Sequence, residues 1–240
     1  MKRILVINPN TTSSVTEMVV ASCRKSCPDL QWEGVTGRLG APYIASEVAY
    51  ALGAHAALEA YATHYAEHDA VLIACFGDPG LLALREVAAV PVIGLAQASF
   101  VAAARLGRFA VVTGGKAWGP MLERFSRMHQ LDTRLVGVFT VDLTGAQIAA
   151  APERAIESLC VACQHGIRAG AEHILLGGAA LTGLAGKLQA RLGVPVLDNV
   201  LLGAKAVSEA IAQVRTPMAD ALKLTGAVEG VGAALSKLLA

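Results

Sequence analysis

Apolar positions along this chain fall into two alternating kinds of stretch. Short runs of consecutive apolar residues recur at 3–7, 70–74, 91–95, 109–113, 136–141, 173–176 and 195–197, with a more polar run at 31–35. Continuous apolar runs of this length, bounded by Gly, Pro or Asn, read as strands buried on both faces. Between them lie longer stretches whose apolar residues stand three or four apart, at 13–25, 46–65, 80–87, 98–105, 120–128, 144–169, 184–192 and 203–214. That period predicts helices. Strands alternating with helices predict an α/β fold of βαβ units with parallel sheets and right-handed crossovers, and ligands in such sheets sit beyond the carboxyl ends of the strands.

The pattern also repeats itself. RILVINPN at 3–10 corresponds to RFAVVTGG at 108–115, each a strand, a polar turn and a helix start. AVLIACFG at 70–77 corresponds to HILLGGAA at 173–180, and each is followed by a helix and then by VPVIG at 90–94 or VPVLD at 194–198. A duplicated unit of this kind predicts two pseudo-symmetric lobes, each a parallel sheet flanked by helices, with the matching strand ends facing each other across a cleft. The expected division is 1–96 plus 203–240 for the first lobe with its C-terminal helices, and 97–202 for the second. The stretch after Pro217 reads as an amphipathic helix that packs on the first lobe or on a partner subunit. In the repeat, Gly178 is the counterpart of Cys75.

Composition narrows the partners. With 54% hydrophobic residues, 16% charged residues and 24 glycines, the chain has ample material for a core. A formal charge of +1 without a Lys/Arg-rich cluster lacks the electrostatic footprint of a nucleic-acid binder, so the expected partner is a small neutral or anionic molecule. The apolar run at 4–7 is too short for a secretory core, and the alanine-rich run at 51–62 is interrupted by His and Glu; the expectation is no membrane span and a cytoplasmic location. Five cysteines, an odd number, read as thiols rather than a disulfide framework. Homo-oligomerisation stays open.

The chemistry centres on Cys75, in ACFGDPG at the end of a predicted strand and ahead of a helix beginning near Gly80. A thiol near a helix N-terminus feels the positive end of the dipole, which predicts a pKa drawn down from about 8.5 and a usable base or nucleophile. The competing reading is a buried, inert cysteine. The turns INPNTT and VVTGG bring Asn8, Asn10, Thr11, Thr12 and Thr113 to the same cleft, as donors for a carboxylate or imide oxygen or, in the plainer reading, as caps with Thr12 or Ser13 at the helix start. Tyr43 and Phe76 can form an apolar wall. His64 and His68 stand four apart without a third ligand, Cys160 and Cys163 form a lone CxxC in a helical pattern, and Cys23 and Cys27 are also four apart on a helix; all read as structural, so no metal is expected. Gly114, Gly115 and Lys116 hint at a phosphate loop, but Ala110 and Ala117 stand where that motif needs Gly and Ser/Thr, and no GxGxxG follows the first strand.

INPNTT, GAPYIAS at 40–46, IACFGDPG at 73–80, VPVIGLAQA at 90–98 and RFAVVT at 108–113 together resemble the aspartate/glutamate racemase superfamily, and within it the hydantoin and allantoin racemases. The resemblance covers nearly the whole chain through VPVLDNV. It implies two α/β lobes, no cofactor, and one cysteine from each lobe on opposite faces of a carbon acid, one removing a proton beside a carbonyl and the other returning one to the far side. Carried over by motif, Cys75 is the catalytic acid/base. The expected substrate-binding positions are Asn10, Thr11, Tyr43, Ile44, Phe76, Gly77, Thr113, Gly178 and Ala179. The second thiol belongs in a motif like LGCAG, which here reads LGGAA with Gly178 in its place. Of the nearby side chains, Thr182 is too weakly acidic to act unaided, His173 opens its strand rather than ending it and Asp78 lies on the Cys75 side, while a water above Gly178 has space. The expected function is a racemase or epimerase acting by proton transfer. The alternatives are a single-cysteine decarboxylase of a malonate-type acid, similar to arylmalonate decarboxylases that keep the later cysteine instead, and a non-catalytic small-molecule binding protein.

Overall fold

The first strand, β1 (Lys2–Asn8), is buried from Ile4 onward and forms the middle of a sheet. The computed structural model describes residues 1–213 and 228–239. After β1 come α1 (Ser13–Ser26), β2 (Leu30–Thr36), α2 (Glu47–His64), β3 (Ala70–Ile73), α3 (Leu81–Val87), β4 (Val92–Gly94) and α4 (Leu95–Leu106). The second half runs β5 (Phe109–Gly114), α5 (Trp118–Met128), β6 (Leu135–Val141), α6 (Gly145–Ala150), α7 (Pro152–Arg168), β7 (His173–Leu176), α8 (Ala185–Gln189), β8 (Val196–Asp198), α9 (Asn199–Ala212) and α10 (Ala233–Leu239).

The strands form two wholly parallel sheets of the same topology, β2-β1-β3-β4 and β6-β5-β7-β8. The register repeats as well: Ile4 pairs with Ala70 and Ile7 with Ile73, while Phe109 pairs with His173 and Val112 with Leu176. Even the bonds that close the strand ends match, with Ala74 N–H donating to Ile7 C=O (2.7 Å) and Gly177 N–H to Val112 C=O (2.9 Å). The duplication seen in the amino-acid pattern is therefore a duplication of hydrogen-bond register, and it puts Cys75 and Gly178 one residue past equivalent points.

Two differences from the expected elements have local causes. The stretch 144–169 forms two helices, because Ala151, which precedes a proline, leaves the helical region (φ −141°, ψ 64°). The polar run at 31–35 is a full edge strand whose Trp32 is buried beneath α1 while its neighbours face outward.

The crossing elements tie the lobes together. Helix α9 follows the second sheet but packs on β3, α1 and α4; Ser99 Oγ donates to Asn199 C=O (3.2 Å) where α4 meets α9. Gly203 permits that approach, since a Cβ there would lie 2.7 Å from Leu95 Cδ1. Helix α10 packs on α2. The rest of the stretch after Pro217, up to residue 227, lies outside the described residues. At the junction Phe100 is fully buried, with its ring centroid 5.6–5.8 Å from those of Phe76, Phe109 and Phe125. Rings at such distances add roughly 0.5–1.5 kcal/mol per pair beyond area burial. Among the described residues, no helix is long and apolar enough to cross a membrane.

Candidate active site

The carboxyl ends of β1, β3, β5 and β7 surround one cavity of about 330 Å³. Its first corner is the turn after β3. The C=O of Cys75 accepts from Gly77 N–H (3.0 Å) and Asp78 N–H (3.1 Å), closing the chain tightly behind the thiol. Asp78 is held at φ +53°, a region that L-residues other than Asn and Asp rarely enter. What compensates is its carboxylate, which accepts from Ala96 N–H (2.8 Å) and Gln97 N–H (2.7 Å) at the start of α4. Gly94 is required for this cap, because a Cβ there would stand 2.2 Å from Asp78 Oδ2.

The second corner is the turn after β7. Gly178 has φ +128°, and its C=O accepts from Leu181 N–H (2.9 Å) and Asn199 Nδ2 (3.2 Å) as the chain enters a single 3₁₀ turn at Ala179–Leu181. Here the helix cap comes from the strand side: Asp198 accepts from Val200 N–H (2.9 Å) at the start of α9 and from Gly183 N–H (2.8 Å) in the loop. The corners meet directly. The Phe76 ring lies against Gly177, where a Cβ would be 2.2 Å from Phe76 Cε1. At both corners the N–H groups that follow the strand, those of Cys75 and Phe76 and of Gly178 and Ala179, find no acceptor among the described residues.

Three contacts made by residues 43–50 fix the loops beside the cavity. Tyr43 Oη donates to Gly114 C=O (3.0 Å), Tyr50 Oη to Gly77 C=O (2.8 Å), and Arg124 forms a two-pronged pair with Glu47 (2.5 and 3.0 Å). Trp118, at the start of α5, lines the cavity and packs over Gly77, where a Cβ would be 2.5 Å from its ring.

The electrostatics differ from the expectation for Cys75. The thiol is buried and its pKa is pushed up, first by loss of solvation and then by the negative charge of Asp78. The helix dipole does not offset this, because α3 starts only at Leu81, beyond the left-handed Gly80. Burial also raises the Asp78 carboxyl to about 7, against the backbone N–H groups of α4 and the charge of Arg85, which pull it down. Among the described residues that line the cavity, none carries a formal charge.

A family model for Asp/Glu/Hydantoin racemase matches residues 4–207. The chain belongs to this family. A hydantoin racemase from Pseudomonas sp. (strain NS671) is 36% identical over 210 residues, covering 85% of this chain and 83% of that one. The crystal structure of an allantoin racemase from Pseudomonas fluorescens superposes with a TM-score of 0.84 at 28% identity, covering 93% of this chain and 100% of that one. A liganded mutant of arylmalonate decarboxylase, at 16% identity and a TM-score of 0.65 over 90% of this chain and 95% of that one, shares the fold alone.

On this racemase-family scaffold, Cys75, Asn10, Tyr43, Ile44, Phe76, Thr113, Gly178 and Ala179 all line the cavity. Thr11 and Gly77 do not. Thr11 is exposed and its N–H bonds Ala41 C=O (3.2 Å), while Gly77 is covered by Trp118. Asn10 Oδ1 is occupied by Asn8 Nδ2 (3.0 Å) and Thr12 N–H (2.9 Å), so its NH₂ is the end left free. Thr12 sits at the N-cap of α1, but its hydroxyl donates to Pro42 C=O (2.8 Å) instead of capping. Thr182 points to Ser22 and Asp198, His173 bonds Ala103 C=O (3.0 Å) at the far end of β7, and Asp78 is occupied as a cap, so none of the three stands in for a thiol at Gly178. His68 contacts Glu33 (3.3 Å) rather than His64, and all five cysteines are free thiols. Val15, Met18, Trp118, Ile148 and Leu181 add an apolar wall that the motifs did not reveal.

Proposed function

We propose that this protein is a cofactor-independent racemase- or epimerase-type enzyme that moves a proton at a carbon beside a carbonyl in a hydantoin-like ring, with Cys75 as the acid/base on one face. The observation that carries the reading is that both matched corners of the repeat line one cavity, with a thiol at the first and a glycine at the second. Removal of the proton by the Cys75 thiolate leaves an enolate, and the free N–H groups at both corners supply donors where that charge develops. Preorganised donors of this kind contribute about 3 kcal/mol. Burial keeps the thiol neutral at rest, so the thiolate is rare but strongly basic when formed.

The uncharged lining suits a neutral ring and offers no cation to pair with the carboxylates of aspartate, glutamate or a malonate. That weighs against the decarboxylase alternative. The test is incubation of each enantiomer of a 5-substituted hydantoin and of allantoin in D₂O. The expected result is deuterium uptake at the ring carbon together with inversion. Neither uptake nor inversion with any of them would remove this substrate class.

A further inference from the structure

Beside the second corner, the end of β5 carries a polar side chain with no partner among the described residues. Thr113, at the end of β5, is 4% exposed and lines the cavity. Its hydroxyl makes no hydrogen bond to a described residue. The rest of the residue is buried while it lines the cavity, so the hydroxyl is a partner for something small there. The matched residue of the first lobe shows the contrast: Asn8 is fully tied, donating to Asn10 Oδ1, Thr12 C=O and Thr16 Oγ1 (each 3.0 Å) and accepting from Asn10 N–H (3.2 Å).

The hydroxyl also stands beside the position a second thiol would occupy. A Cβ built on Gly178 would lie 3.7 Å from Thr113 Oγ1 and 3.1 Å from Leu181 Cδ1. An ordered water needs about 30 Å³ and two to four polar partners. The cavity of about 330 Å³ provides room, and Thr113 with the N–H groups of Gly178 and Ala179, which find no acceptor among the described residues, provides partners.

We propose that Thr113 is a positioning residue that holds a water beside Gly178, and that this water protonates the face of the substrate opposite Cys75. The inference rests on the reading of Cys75 given above. The proton balance is complete. The thiolate takes the proton from carbon, and the C–H electron pair passes into the enolate. A water O–H then breaks, and its proton forms the new C–H bond on the far face. The hydroxide left behind recovers the proton from the Cys75 thiol through solvent, regenerating thiolate and water. Water is a far weaker acid than a thiol, so exchange at the Cys75 face outruns inversion.

The test uses both enantiomers of 5-benzylhydantoin in D₂O with the wild-type protein, Thr113→Val and Thr113→Ser. Deuterium uptake is read by mass spectrometry and inversion by chiral chromatography. The wild type is expected to exchange faster than it inverts. Thr113→Val lowers inversion about 10-fold more than exchange, and Thr113→Ser restores the ratio. Because the hydroxyl bonds none of the described residues, Thr113→Val is expected to keep the wild-type melting temperature, which checks the fold. Equal losses of exchange and inversion in Thr113→Val, or an unchanged ratio, overturn the water-holding role. Wild-type exchange without any inversion overturns the second-face step but leaves Cys75 standing; absence of both overturns Cys75 as well.

Discussion

The two corners of the cavity share a strand register, a closing hydrogen bond and a pair of unbonded N–H groups, yet one ends in a buried thiol and the other in a glycine at φ +128°. Their caps are also mirrored. In the first lobe the carboxylate comes from the turn and Gly94 makes room for it; in the second it comes from Asp198 and reaches back to the turn. A duplicated scaffold thus keeps its backbone contacts while its side chains diverge. The backbone contacts fix where a proton can be handled, and the side chain decides whether one is.

Four experiments press on this contrast. Removing the reactive side should cost most: Cys75→Ala is expected to slow deuterium uptake from a hydantoin by about 10³-fold, within the usual range for losing an acid/base group. A loss under tenfold would place the chemistry elsewhere. The cap of the first corner should respond to pH. Asp78 goes from 3.8 unfolded to about 7 folded, so folding takes up a proton there. The resulting stability is complete below about pH 4 and is lost as pH rises through 7, a contribution of roughly 4 kcal/mol at most. Carboxyl NMR, assigned with Asp78→Asn, should show a midpoint near 7, and a midpoint near 4 would mean that the N–H groups of α4 outweigh burial. Next, Gly177→Ala is expected to displace the Phe76 ring and destabilise the fold by about 1–3 kcal/mol in urea denaturation. No change in the midpoint would show that the two corners are not in contact. Smallest is Tyr43→Phe, which removes the hydroxyl that bonds Gly114 C=O and should cost about 1 kcal/mol. An unchanged melting temperature would indicate that this bond contributes nothing in solution.

Much of the fold was legible because its strands are continuous apolar runs and the two halves share spacing. The pairing of Cys75 with Gly178 followed from that repeat alone. What could not be read depends on contacts distant in the chain. Helix α4 begins at Leu95, three residues ahead of the expected start, because its cap is Asp78 and not a neighbour. The apolar wall of the cavity draws Met18, Trp118 and Ile148 from three helices whose periodicity marks them as core residues and says nothing about which side opens onto a cavity. The direction of the Cys75 shift lies beyond the sequence for a similar reason: proximity to a helix is visible there, but burial beside a carboxylate is not.

The contact between Phe76 and Gly177 bears on how this protein can vary. Each residue occupies space that the other must leave empty, although they belong to different halves of the duplication. A larger residue at 177 is tolerated only with a smaller one at 76, so substitutions there are conditional on one another. The halves that arose as copies can no longer change independently, and any attempt to separate or swap them must carry both positions together.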